Sequence, residues 1–344
     1  MKIKLAYFFV LTGIFAAALV INLALFQRIY RTDPSDMTIR IKRGDNLRSV
    51  AVELENKQVI FSKIIFILTG RVLGYQDEII PGSYSFENGI TTIDVLKKIT
   101  DVNSVRYYTI TIPEGLNIRQ IGRLLQRQAG LDSAKFVEEA YNDSLISLLD
   151  IDAENLEGFL FPDTYQFSIS PAGGNEKEII RIMFSQFRKK ISAEMEEDME
   201  NEKLKLIDVI TMASIIEGET RYEPEKKTIA GVYYNRLKWR MKLEADPTVQ
   251  YVLPDGPKPR LMYSDLKFPS PYNTYLNRGL PPGPINNPGL SSITAAIYPE
   301  KHKYLYFVAK GDGSHRFAET YGEHKKNIKE YKKFLQEQGK NNNK

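Results

Sequence analysis

Hydrophobic and polar positions change rhythm several times along the chain. From Leu5 to Phe26 the sequence reads LAYFFVLTGIFAAALVINLALF, without one charged residue. As a helix this run would be roughly 33 Å long, enough to cross a hydrocarbon core of about 30 Å. The AAA at 16–18 could mimic a signal-peptide cleavage site, but the apolar run continues to Phe26, longer than a usual signal segment. We expect an uncleaved anchor at 5–26 behind a cytoplasmic tail at 1–4. Lys2 and Lys4 precede the span and Arg28 and Arg31 follow it. A short tail with a large translocated domain is the simpler topology.

After the linker TDPSD (32–36), TIRIKRGDNLRSVAVEL (38–54) matches TITIPEGLNIRQIGRLL (109–125) at an offset of 71 residues. Each copy has an alternating strand, a glycine turn (Gly44, Gly115), Asn then Arg (Asn46 and Arg48, Asn117 and Arg119), and an amphipathic helix. Two related β-turn-α units are therefore expected in the N-terminal region. The first runs on through an apolar helix (61–74), a glycine turn and strand (79–86) and a helix at 91–100. Such small units resemble LysM-type carbohydrate-binding modules, with a helix pair on a two-stranded sheet. The competing reading is a generic α+β spacer, since no aromatic sugar platform stands out in 38–105.

Helical patterns follow at 132–150 and 175–205, the second strongly charged and read as a solvated face. Over 206–220, Leu206, Ile207, Ile210, Ala213 and Ile216 recur at helical spacing, predicting a helix with one buried face. Beyond it the chain is dense in Pro, Asn, Tyr and Gly, notably SPYNTYLNRGLPPGPINNPG (270–289), which suggests a cleft built from loops. The expected organisation is α+β: the anchor, a LysM-like domain at 38–105, a second β-turn-α unit or connector at 106–154, a catalytic domain at 155–335 and a disordered tail at 336–344.

Composition narrows the chemistry. The 344 residues suffice for two or three domains. A net charge of +4 is small for this length and argues against nucleic acid as a partner. There is no cysteine, which excludes disulfides, zinc thiolates and thiol nucleophiles. The histidines His302, His315 and His324 lack metal-ligand spacing, so neither metal nor cofactor is expected. No GxSxG or GxxxxGK[ST] motif occurs, and Ser214 reads as a packing residue.

The candidate chemistry lies in IIEGET. Glu217 and Glu219 sit about 200° apart around a helix, so they cannot act as a facing pair. One can enter a cleft while the other faces solvent, caps, or pairs with a cation such as Arg221 or Lys227. Glu217 continues the row of Ile210 and Ala213, and Glu219 that of Met212, Ile215 and Ile216; the pattern alone chooses neither. Asp246, Thr248, Gln250, Tyr251, Asn273 and Tyr275 are candidate substrate contacts, because they offer donors, acceptors and apolar plates.

ASIIEGET, NRL, LEADPTVQY, YNTYLNRGLPPGPINNPG and YLYFVAKGDGSHRF, in this order and with LEGFLFPDTYQF at 156–167, resemble the YceG-like (MltG-type) endolytic murein lytic transglycosylases. The resemblance covers essentially the whole chain. It implies that the second glutamate of the E-x-E-T motif, Glu219, is the catalytic acid, with Glu217 supporting it. It also implies cleavage of the β-1,4 bond between N-acetylmuramic acid and N-acetylglucosamine in nascent peptidoglycan, leaving 1,6-anhydro ends and terminating strand elongation. Implied too are peptidoglycan synthases as partners and a catalytic domain on the outer side of the cytoplasmic membrane. Gly218 stands where relatives carry Lys, a departure expected to loosen the helix end. Two other readings remain at this level: a membrane-anchored peptidoglycan-binding scaffold without activity, and a hydrolase using Glu217, Glu219 or Asp246 as a second carboxylate.

Overall fold

The computed structural model describes residues 22, 25–30, 37–42, 44–104, 106–169, 176–254 and 256–341. The expected tail at 1–4 and nearly all of the expected anchor at 5–26 lie outside them. Among the described residues, no helix is long and apolar enough to cross a membrane. The protein is α+β: among the described residues, helices are joined to three two-stranded sheets. It divides into two units: the described residues of Met1–Ile110 and Tyr165–Asn175, and those of Thr111–Thr164 and Glu176–Lys344.

In the first unit, strand β1 (Thr38–Ile41) pairs antiparallel with β2 (Gly82–Ser85), Ile39 opposite Tyr84. Alternation turns Ile39 and Ile41 into the core and Arg40 outward, as period-two sterics require. Between the strands run α1 (Leu47–Asn56) and α2 (Lys63–Val72), and α3 (Thr92–Thr100) follows β2. Leu47, Val50, Leu54, Phe66, Val95, Leu96 and Ile99 close the core. The repeated asparagine has a local reason. Asn46 caps α1 by accepting from the Ser49 backbone N–H, while the Ser49 hydroxyl accepts from Asn46 N–H.

The second β-turn-α unit is shared out. Its strand β3 (Arg106–Thr111) falls almost wholly in the first unit, paired with β4 (Thr164–Ile169), and its helix α4 (Ile118–Ala129) in the second. Asn117 caps α4 with Gln120 in the same reciprocal way as the first copy.

The second unit continues through α5 (Ser133–Ala140), α6 (Asp143–Leu148), α7 (Glu176–Lys190) and α8 (Ala193–Asn201) to α9 (Leu206–Glu219). Helices α10 (Lys226–Lys238), α11 (Asp246–Val252) and α12 (Leu290–Ile297) all pack on α9. Helix α9 departs from the one-sided burial its spacing predicts: every residue from Val209 to Ile216 is buried. Its polar members do not forbid this, because Thr211 donates to Ile207 O and Ser214 to Thr211 O. Ser214 Oγ also accepts from Ile285 N–H, so the expected packing residue ties the 270–289 loop to the helix as well. The hairpin of β5 (Tyr306–Ala309) and β6 (His315–Ala318) leads to α13 (Tyr321–Asn341). Helix α13 runs through much of the expected disordered tail; residues 342–344 lie outside the described ones.

Candidate active site

The two glutamates of IIEGET part company at the end of α9. Glu217 is a nearly buried ion-pair partner: its side chain is 6% exposed, and Lys226 Nζ stands 3.3 Å from its Oε2. The same oxygen accepts from Ser292 Oγ at 2.6 Å and from Gly289 N–H at 3.1 Å, the start of α12. Lys226 also bonds Glu223 at 2.7 Å and Ser291 Oγ at 2.8 Å. Burial alone would lower the Lys226 pKa, but Glu223 and Glu217 outweigh it and raise the value. Neither Arg221 nor Lys227 is the cation; Lys226, the first residue of α10, is.

Glu219, the last residue of α9, accepts a 2.6 Å hydrogen bond at Oε1 from the hydroxyl of buried Tyr233 on α10. Desolvation pushes its pKa up to about 7, with the negative charge of Asp246 adding; Tyr233 and the Arg236 guanidinium oppose the rise. Arg236 is held by Leu305 O, Leu243 O and Glu244, so it acts as a fixed charge at a distance. A carboxyl of this kind keeps its proton near neutral pH in part of the population and can give it up or take it back.

Gly218 explains how Asp246 comes near. A Cβ on Gly218 would lie 2.6 Å from Pro247 Cβ, so only glycine lets the end of α9 meet the start of α11 this closely. The expected loosening of the helix end is therefore replaced by a tight contact. Gly218→Ala should push Pro247 and Asp246 away. The overpacking costs roughly 1–3 kcal/mol, more than the helix-propensity gain of about 1 kcal/mol. Thermal unfolding should show a lowered midpoint, and glycan cleavage should fall further than stability does.

A cavity of about 650 Å³ opens on Glu219 and is lined also by Glu114, Asn117, Gln120, Glu217, Asp246, Gln250, Tyr251 and Asn286. A second, of about 540 Å³, shares Glu219, Thr220 and Arg221 with the first. Of the predicted contacts, Asp246, Gln250 and Tyr251 line the first cavity. Asp246 Oδ1 accepts from the Tyr275 hydroxyl at 2.6 Å, so Tyr275 bears on the cavity through Asp246. Burial first, and that bond second, raise the Tyr275 pKa. The Gln250 amide is committed to Lys258 N–H and C=O, shaping the loop beyond α11. Thr248 and Asn273 are corrections. Both are wholly buried: Thr248 Oγ1 bonds Ala245 O and Thr274 Oγ1, and Asn273 Nδ2 bonds Leu266 O and Phe268 O. Their polar atoms hold the loops from within.

Periodicity and spacing single out none of the remaining residues at the site. Glu157 is buried, and its carboxylate takes Ile118 N–H at 3.0 and 3.2 Å and Asn287 Nδ2 at 3.0 Å. Burial pushes its pKa up to about 8 against those bonds. Asn287 also bonds Leu116 O and Leu160 N–H, so together they fasten the wall formed by 115–120. Glu114 lies against Gly289, where a Cβ would meet its Oε1 at 1.9 Å, and desolvation followed by Glu217 raises its pKa. The one available hint was in the repeat, where Glu114 takes the place of Arg43. His302 and His315 are occupied by Thr228 O and Glu225, and no cluster able to hold a metal occurs among the described residues.

The architecture and the site define a class: α+β proteins that hold a raised-pKa carboxyl at the end of a buried helix, open to a cleft. More specifically, the chain belongs to the YceG-like family, whose sequence model matches residues 39–330. It is 32% identical over 335 residues to the endolytic murein transglycosylase of Bacillus subtilis (strain 168), covering 92% of this chain and 91% of that one. It is 28% identical over 325 residues to the endolytic murein transglycosylase of Streptococcus pneumoniae (strain D39), covering 86% of this chain and 58% of that one. A crystal structure of a yceG-like protein from Listeria monocytogenes superposes with a TM-score of 0.58 at 34% identity, covering 84% of this chain and 97% of that one.

Proposed function

We propose that this protein is an endolytic murein transglycosylase that cuts the β-1,4 bond between N-acetylmuramic acid and N-acetylglucosamine in nascent peptidoglycan strands. The observation that carries the reading is Glu219: a carboxyl with its pKa raised to about 7, standing where two cavities meet. A strand bound across both would place an internal bond at this acid, as endolytic cutting requires. Glu219 protonates the leaving glycosidic oxygen. Its carboxylate then takes the proton from the muramoyl C6 hydroxyl as that oxygen attacks C1, closing the 1,6-anhydro ring. One carboxyl serves both steps. Tyr233 orients it, and Asp246, held by Tyr275, favours its protonated form. Glu217 is spent on Lys226 and the start of α12, so its part is to hold the helix end in place.

In this reading residues 5–26 anchor the chain in the cytoplasmic membrane with the N-terminus inside, and 38–105 form a LysM-like module that meets glycan. The catalytic region, 155–335 with the α4 segment, works on the outer side close to peptidoglycan synthases. Asp246 beside Glu219 supports one alternative, hydrolysis with Asp246 activating water. Mass spectrometry of purified glycan strands digested by the full chain tests both. Anhydro ends are the expected result, reducing ends would establish the hydrolase, and uncut strands would leave a binding scaffold.

A further inference from the structure

We propose that the second cavity is a binding site for the carboxylate-bearing substituent of a muramoyl residue and that Arg221 is the residue that recognises it; the inference rests on the glycan-cutting role proposed above. The cavity lies along the chain just past Glu219. Its lining includes Arg221, Tyr222, Gly311, Gly313, Ser314 and His315 of the β5–β6 hairpin, and Tyr331 of α13.

Its walls are set in place. Gly311 and Gly313 have φ of 102° and 90°, where a side chain is strained, and a Cβ on Gly311 would lie 2.1 Å from the Phe334 ring. The turn is thus pressed onto α13 with bare backbone towards the cavity. The far side is fixed by Glu225, which accepts from His315 N–H at 3.1 Å and meets its ring Nδ1 at 2.8 Å.

Arg221 is exposed and, among the described residues, makes no hydrogen bond or ion pair. This is unexpected in EGETRYEPE, where four carboxylates lie within four positions of it. Each of the four is committed elsewhere: Glu217 and Glu223 to Lys226, Glu219 to Tyr233, and Glu225 to His315. Two other cations nearby are saturated, Lys226 by two carboxylates and a serine, Arg236 by backbone carbonyls and Glu244. A free guanidinium at the shared edge of both cavities, with Tyr222 and Tyr331 beside it, suits a planar carboxylate taken in two parallel hydrogen bonds. A muramoyl residue offers that group in two forms. With its stem peptide attached, the carboxylates are on the peptide; with the stem removed, the lactyl group itself is the carboxylate.

Binding reads this independently of catalysis. The full-length protein carrying Glu219→Gln is titrated with three probes: glycan fragments bearing stem peptides, the same fragments stripped of stems by an amidase, and chitooligosaccharide, which has no carboxylate. Adding Arg221→Ala should weaken binding roughly tenfold to a muramoyl probe, as expected for loss of a charge-assisted bond at a solvated site. Chitooligosaccharide binding should be unchanged, and Arg221→Lys should restore part of the loss. A loss confined to the first probe assigns the stem peptide, and a loss that includes the second assigns the lactyl group. Equal losses on all three probes, no loss on either muramoyl probe, or no binding of either by the parent protein overturns the inference. Failure of the wild-type protein to cut glycan would instead defeat the proposed activity and leave this comparison readable.

Discussion

Glu219→Gln is expected to reduce glycan cleavage by roughly 10²–10⁴-fold, the usual share of a positioned acid–base group, while the protein stays folded. The amide keeps the shape and still accepts from Tyr233, but it has no proton to deliver and no basicity to recover one. Stability separates this loss from unfolding. The folded pKa of Glu219, about 7, lies above the ordinary carboxyl value of 4.5 because burial disfavours its charge. The stability it contributes is therefore fully present below about pH 4.5 and is lost as pH rises through about 7. Above that range the folded protein holds a desolvated charge that glutamine lacks. Thermal melts at pH 8 should show the variant as stable as the parent or more so. The parent's cleavage rate should fall as pH rises past about 7, because the acid form disappears. Undiminished product release by the variant would remove Glu219 from the mechanism.

Lys226→Met should be the most destabilising single change at the site. Lys226 is 2% exposed and bridges Glu217, Glu223 and Ser291, so all three ammonium hydrogens have acceptors. Methionine keeps most of the unbranched stem but leaves Glu217, 6% exposed, without a counter-charge. Breaking a buried pair from one side costs about 3–5 kcal/mol, a large part of the 5–15 kcal/mol that holds a typical protein folded. Chemical denaturation at pH 7 should show a midpoint lowered accordingly. Lys226→Met combined with Glu217→Gln should recover much of the loss, because the orphaned charge is gone. Equal destabilisation in the single and double variants would mean that packing, not the charge, makes Lys226 important.

These two residues mark how far the chain alone can be read. Strands and helices at 38–100, the second copy of the β-turn-α pattern and a helix over 206–220 all follow from alternation and helical spacing, which are local. So does the separation of Glu217 from Glu219, because neighbours two apart on a helix point opposite ways. The repeated asparagines could be aligned, and only the backbone made them reciprocal N-caps. The family resemblance, resting on short motifs in order, preferred Glu219 where periodicity chose neither carboxylate.

What no local pattern carries is the identity of partners distant in sequence. Glu217 meets Ser292 75 positions on, Glu157 meets Asn287 130 positions on, and Gly218 meets the ring of Pro247. Thr248 and Asn273 have the composition of sugar contacts yet face inward, since loops that make a cleft must satisfy their own backbone first. Local periodicity sets which face of a helix is apolar, because only residues within a turn or two are involved. Whether a carboxylate becomes an ion pair or a proton donor depends on what the rest of the chain removes from water beside it. In IIEGET packing placed Lys226 against one glutamate and Tyr233 against the other, and that difference in surroundings separates two chemically identical side chains.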